Sequence, residues 1–307
     1  MCCFAQPVLS VTDTNLFARH TGKGTQFLAY QMKFSSEKPN AMILPLPVAT
    51  PAKEDSVQFI SLKGYDNFFK DLNRGFPNIT PSNRSRSLGS VEPTDSIQKK
   101  LIVHEVGDFV ASFVPTVKDF SRLDPQFVIP KESWDKVPGY GDYGFAVFQL
   151  KKLKGTTHPM AFEFKTRHKN DIFFPTVHIH DGEVHRRESF DHALYLQSET
   201  FDEVVDKYRN RHLKDKATGF VRSRKTAKTF CNIEKAKGLV LGDQLVHRLE
   251  LKGKLENKDV LASIGRGPYK FSQSSLRKFW PVAPIAACLA GMTWIFHRRD
   301  KLQNESK

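Results

Sequence analysis

The chain has 307 residues, with 47 Lys and Arg against 33 Asp and Glu, a formal net charge of +14. Hydrophobic residues make up 39% and charged residues 26%, which excludes a disordered tail, a collagen-like chain and a polytopic membrane protein. The length admits one large domain or two ordinary ones with an ample core.

The opening, MCCFAQPVLSVTD, has no basic n-region and no apolar run, so it does not read as a secretory signal. The cysteines Cys2, Cys3, Cys231 and Cys288 form no C-x-x-C pair, which argues against a disulfide framework or a structural zinc finger and for a reducing compartment. Short strands are predicted at FAQPVLSV, TNLFAR, TQFLAYQMKF and AMILPLPV, separated by the turn clusters TDTN, HTGKGT and SSEKPN. HTGKGT reads as a hairpin turn, because the phosphate-loop pattern is absent. Tyr65–Asn73 has apolar residues at helical spacing and suggests a short helix, and the polar stretch 80–96 reads as an exposed or disordered loop. Strand signal returns from residue 101, with FAVFQLKKLKG, PMAFEFKTRH, IFFPTVHIH and GEVHRR further on. Thr200–Arg211 carries a Phe201–Val204–Val205–Tyr208 stripe and predicts a helix, and VHRLELKG with KDVLAS predicts a last hairpin.

Phe279–Phe296 is apolar apart from Thr293, and its 18 residues would span about 27 Å as a helix, close to a hydrocarbon core. Trp280 and Trp294 stand near its ends, bracketed by Arg277, Lys278, Arg298 and Arg299. The expected fold class is therefore α+β and β-rich, with antiparallel sheets and hairpins, a few short helices and one C-terminal transmembrane helix. The expected domains are a globular part over 1–262 with a sub-boundary at 80–97, a linker at 263–278, the span at 279–296 and a polar tail at 297–307. The expected address is a single-pass membrane protein with its domain in the cytoplasm. Residues 206–254 hold 14 Lys and Arg against 5 Asp and Glu, a tract suited to anionic lipid headgroups. No nucleic-acid motif appears, so no nucleic-acid partner is expected.

Three stretches carry a family resemblance. NLFARHTGKGTQFLAYQMKF with AMILPLPV resembles the opening of a bacterial family of unknown function, in which a cysteine-led segment precedes FAR, a turn, a strand and P-x-P. HEVGDFVASFVPTVKDFSRLDPQFVIP with GYGDYGFAVFQLKKLKG is similar to its middle, and FFPTVHIHDGEVH resembles a segment of uncharacterised bacterial proteins of this general kind. The resemblance covers residues 2–190. It implies export and often a terminal transmembrane helix, and no activity.

The most specific chemistry is VHIHDGEVH over 177–185. Asp181-Gly182 is a strong two-residue hairpin signal. That register pairs His180 with Glu183 and His178 with His185, so the four side chains share one face with β-carbons about 4.5–5.5 Å apart. Three imidazoles and a carboxylate are a credible set for a divalent metal such as zinc, iron or manganese, with His192 as a further ligand or base. An H-x-H on a strand is similar to cupin-type metal sites. The plainer alternative is a polar outer face of a hairpin.

Removal of Met1 would leave Cys2 with a free amine, the basis of N-terminal nucleophile hydrolysis. Leu16-Phe17-Ala18-Arg19 resembles the Leu-Phe-x-Arg segment of the bile-salt and penicillin-acylase branch, which makes Cys2 and Arg19 candidate catalytic residues. That branch has an Asp shortly after the Arg, where this chain has His20-Thr21-Gly22-Lys23. Three functional readings stand: a membrane-anchored binding or scaffold domain, a metal-dependent enzyme or sensor, and an N-terminal cysteine amidohydrolase.

Overall fold

The computed structural model describes residues 2–76, 104–106, 109–129, 139–205, 215 and 218–263. The chain divides into two units, Met1–Pro268 and Tyr269–Lys307, and the second lies outside the described residues.

The larger of two main sheets is built on the long strands β2 (Ser10–His20) and β3 (Thr25–Ser35), joined by the HTGKGT turn. Gly22 and Gly24 both have positive φ in that turn, which their lack of a Cβ makes inexpensive. Around this hairpin the sheet order is β14 (Val221–Arg222), β15 (His247–Glu256), β13 (Arg187–Gln197), β2, β3, β10 (Met160–Lys165) and β5 (Val57–Ser61), and β9 (Lys154–Thr156) also pairs with β3. The second sheet runs β12 (His178–Ile179), β1 (Cys2–Phe4), β4 (Asn40–Leu46), β8 (Gly144–Leu150), β7 (Phe109–Val114) and β6 (His104–Val106). A small sheet pairs β11 (Ile172–Phe174) with β16 (Val260–Ala262).

Continuous apolar runs in β2 and β3 reflect burial on both faces. Register places Tyr195, Phe17, Ala29 and Ala161 in one row across four strands. This row packs on α1 (Phe68–Arg74) through Phe68, Phe69 and Leu72, and on Leu239, Val240 and Val246 of the loop that leads into β15. The alternate residues Leu16, Leu28 and Leu194 are also fully buried. Phe59 of β5 meets Phe148 of β8 with ring centroids 5.6 Å apart, and Phe4 of β1 meets Phe34 of β3 at 6.5 Å, so aromatic packing joins the two main sheets.

The β-rich architecture agrees with the sequence, but the expected fold class needs correction in two respects. The sheets are mixed, since β1 runs parallel to β12 and β13 parallel to β2. Among the described residues no helix is long and apolar enough to cross a membrane. The expected span at 279–296 lies outside the described residues, as do the linker from 264 and the 80–96 loop.

Smaller differences have local causes. TDTN does not end a strand. It bulges within β2, where Asp13 takes a φ of 53° and its N–H donates to Asp191 Oδ2 at 2.7 Å. Pro175 separates β11 from β12, splitting the run read as one strand. VHRLELKG and KDVLAS are both strands, but β15 pairs with β13 and β14 whereas β16 pairs with β11.

Candidate functional site

The Asp181-Gly182 turn does not close the predicted hairpin. The backbone of His178 is taken on one side by β1, in parallel register with Cys2, and on the other by Asn257. His178 N–H donates to Asn257 Oδ1 at 2.7 Å, and Asn257 Nδ2 donates to the carbonyls of His178 and His185 at 2.9 Å each. An amide side chain thus stands where the returning strand was expected.

The two ends of the motif then part. His178 is 1% exposed and stacks on His180, Phe190 and His192, with centroid separations of 4.7, 4.5 and 4.7 Å. Its Nε2 lies 2.9 Å from Nε2 of His192, a hydrogen bond with one shared proton. Glu183 and His185 are exposed, and His185 Nε2 bonds Asp181 Oδ2 at 2.8 Å. Among the described residues no group of three or more His, Cys, Asp or Glu is arranged to hold a metal. The metal set of His178, His180, Glu183 and His185 is therefore corrected: its geometry required a hairpin that the chain does not form.

Burial sets the protonation of this cluster. It lowers the pKa of His178, with the neighbouring His192 and His180 adding to the effect, and brings His180 down to about 4. His192 is also lowered by burial, against an opposing bond to Asp191. All three imidazoles are neutral at pH 7. Beside them the half-buried carboxylate of Asp259 joins three segments. Its Oδ1 accepts from the N–H groups of Thr176 and Val177 at 2.8 and 3.1 Å, and its Oδ2 from Tyr140 Oη at 2.5 Å. Nothing in the sequence flagged Asp259 or Asn257, because their partners lie about 80 to 120 positions away.

The candidate catalytic pair is placed on different sheets, Cys2 on β1 and Arg19 on β2. Arg19 is 7% exposed and donates to three carbonyls: Leu239 at 2.9 Å, Gly238 at 2.7 Å and His20 at 3.1 Å. It is a clasp between the end of β2 and the loop before β15.

That clasp backs a cleft of about 670 Å³. One wall is the β2–β3 turn with loop 169–172, the other the start of α2 (Glu199–Val204), and Leu241, Gln244 and Ser263 complete it. Phe201 and Ile172 are buried at 3% exposure, while Leu241 is 38% exposed. Gln197 holds Leu241 through both backbone groups: its Oε1 accepts from Leu241 N–H and its Nε2 donates to Leu241 O, each at 2.8 Å. Gln26 grips Phe173 of β11 in the same way, at 3.0 and 2.8 Å. His20 also lines the cleft, and burial lowers its pKa. Of the described part of the basic tract, Lys228 pairs with Asp243 at 2.6 Å and Lys252 with Glu250 at 3.4 Å, so some of its charge is spent within the domain.

No family model and no curated protein matches the chain. Among solved structures it is similar to baculovirus P35, with a TM-score of 0.44 and 16% identity over 84% of this chain and 97% of that one. It is also similar to P35 in the caspase-8/P35 complex, with a TM-score of 0.41 and 14% identity over 83% and 97%. A mutated baculovirus P35 after caspase cleavage gives a TM-score of 0.42 and 14% identity over 82% and 99%.

Proposed function

We propose that the domain is a binding module that holds a segment of a protein partner in the cleft between loop 169–172 and α2. The observation that carries this reading is Leu241, a large apolar side chain left 38% exposed inside a cleft of about 670 Å³. Ligand sites are typically concave, of roughly 300–1,000 Å³, with apolar walls and a few convergent polar groups. Ile172, Phe201 and Leu241 supply the apolar part, and Asn170, Ser198 and Gln244 supply amide and hydroxyl groups suited to a peptide backbone. The buried bonds of Gln197, Gln26 and Arg19 hold the walls in place before binding, which lowers the ordering cost of association.

The test is retention of defined probes by the immobilised full chain and by its Leu241→Glu variant. One probe is a phage-displayed library of random dodecapeptides. The other is caspase-8, the protein in complex with P35 in one of the similar structures. Enrichment of peptides, or capture of the protein, by the wild type and its loss in Leu241→Glu is the expected result. Retention that is absent in the wild type, or equal in the variant, contradicts the reading.

A further inference from the structure

The charges that line the cleft are balanced within a strongly basic chain. Arg19 and Lys169 stand against Asp171 and Glu199, although the whole sequence carries +14. These four groups are not equivalent. Arg19 is buried and spends its donors on the carbonyls of Leu239, Gly238 and His20. Asp171 lies within electrostatic reach of the imidazoles of His20 and His168. Lys169 is exposed on the loop wall, and Glu199 is exposed on the helix wall, where its Oε1 accepts from Gln244 Nε2 at 3.3 Å. The apolar floor made by Phe201, with the exposed Leu241, belongs to the same cleft.

We infer that the occupant of this cleft is a peptide segment with one apolar side chain between two opposite charges, an acidic group meeting Lys169 and a basic group meeting Glu199. This inference rests on the binding-module reading and names its ligand class. The apolar residue seats on Leu241 above Phe201. The two ion pairs, exposed and individually weak, select the order of charges along the segment more than they add affinity. A polyanion gains no net attraction there, because Asp171 and Glu199 offset Arg19 and Lys169 whatever the net charge of the chain.

The experiment selects the dodecapeptide library separately on the full-length wild type, Lys169→Glu, Lys169→Gln and Glu199→Lys, each first shown by circular dichroism to melt as the wild type does. Wild-type selections should converge on an apolar residue flanked by one acid and one base. On Lys169→Glu the acidic position should turn basic, on Lys169→Gln it should lose its preference, and on Glu199→Lys the basic position should turn acidic. A wild-type peptide should lose about three- to tenfold in affinity for either charge-reversed protein. Peptides with the same charge pattern on all four proteins would overturn the ligand class while leaving a binding module. No enrichment on the wild type above a Leu241→Glu control taken through the same selection would overturn both.

Discussion

His178, His180 and His192 illustrate how burial decides what a side chain can do. On an exposed hairpin face these imidazoles would be ligands or bases. Stacked on one another, His178 and His192 buried and His180 half-buried, with the first two sharing one proton between Nε2 atoms, they are neutral packing groups. The sign of the resulting pH dependence follows. Above the ordinary imidazole pKa of about 6.5, the folded and unfolded states are both neutral at these positions and the cluster is pH-insensitive. Below it the unfolded chain takes up protons that the folded chain refuses, down to about pH 4 for His180. Each such group then costs stability at about 1.4 kcal/mol per pH unit. The urea midpoint of the full chain is expected to be level from pH 8 to 7 and to fall between pH 6.5 and 4.5. A midpoint unchanged over the lower range would mean that the histidines titrate freely. Asp259 makes a second test at this scale. Asp259→Ala strips the acceptor from Thr176 N–H, Val177 N–H and Tyr140 Oη, at a cost of about 2–4 kcal/mol in urea unfolding. Asp259→Asn keeps one acceptor oxygen and should cost less. Equal stability of the wild type and both variants would contradict the role assigned to this carboxylate.

At the scale of elements, strands held by local patterns were legible and those held by remote partners were not. LFAR and QFLAYQMKF announced β2 and β3, and the glycines of HTGKGT announced their turn, because side-chain period and turn chemistry are local properties. YDNFFKDLN gave α1 to within a few residues. Of the helix expected over 200–211, the described part is α2, which ends at Val204. The His hairpin failed because Asn257, 79 positions away, supplies the bonds that a returning strand would have made. The parallel pairing of β1 with β12 was invisible for the same reason. Two element-scale substitutions test the packing. A Cβ at Gly144 of β8 would overlap the ring of Phe113 and press on Val48, so Gly144→Ala should destabilise by about 1–3 kcal/mol. Gln197→Leu frees both backbone groups of Leu241 and should cost about 1–3 kcal/mol, with weaker peptide retention at the cleft. Denaturant midpoints that match the wild type would show that neither contact constrains its element.

For the whole molecule, length implied an ample core, and the run of alternating and apolar strand patterns implied that it is β-rich. The cleft was not legible, since it gathers residues 19–22, 169–172, 197–201, 241, 244 and 263 from five separate stretches. Only the fold brings Leu241 and Phe201 to the lining of one cleft. The net charge pointed to anionic partners, yet the charges lining the cleft cancel. Binding there should therefore depend weakly on salt, where phosphate or headgroup contacts would give a steep loss. Hydrogen exchange of the full chain with and without a selected peptide shows whether this cleft is the surface that holds a partner. Slowed exchange at 169–172, 197–201 and 241–244, with β7 and β8 unchanged, is the predicted result. Protection confined to other elements would contradict it and place the binding surface elsewhere on the domain.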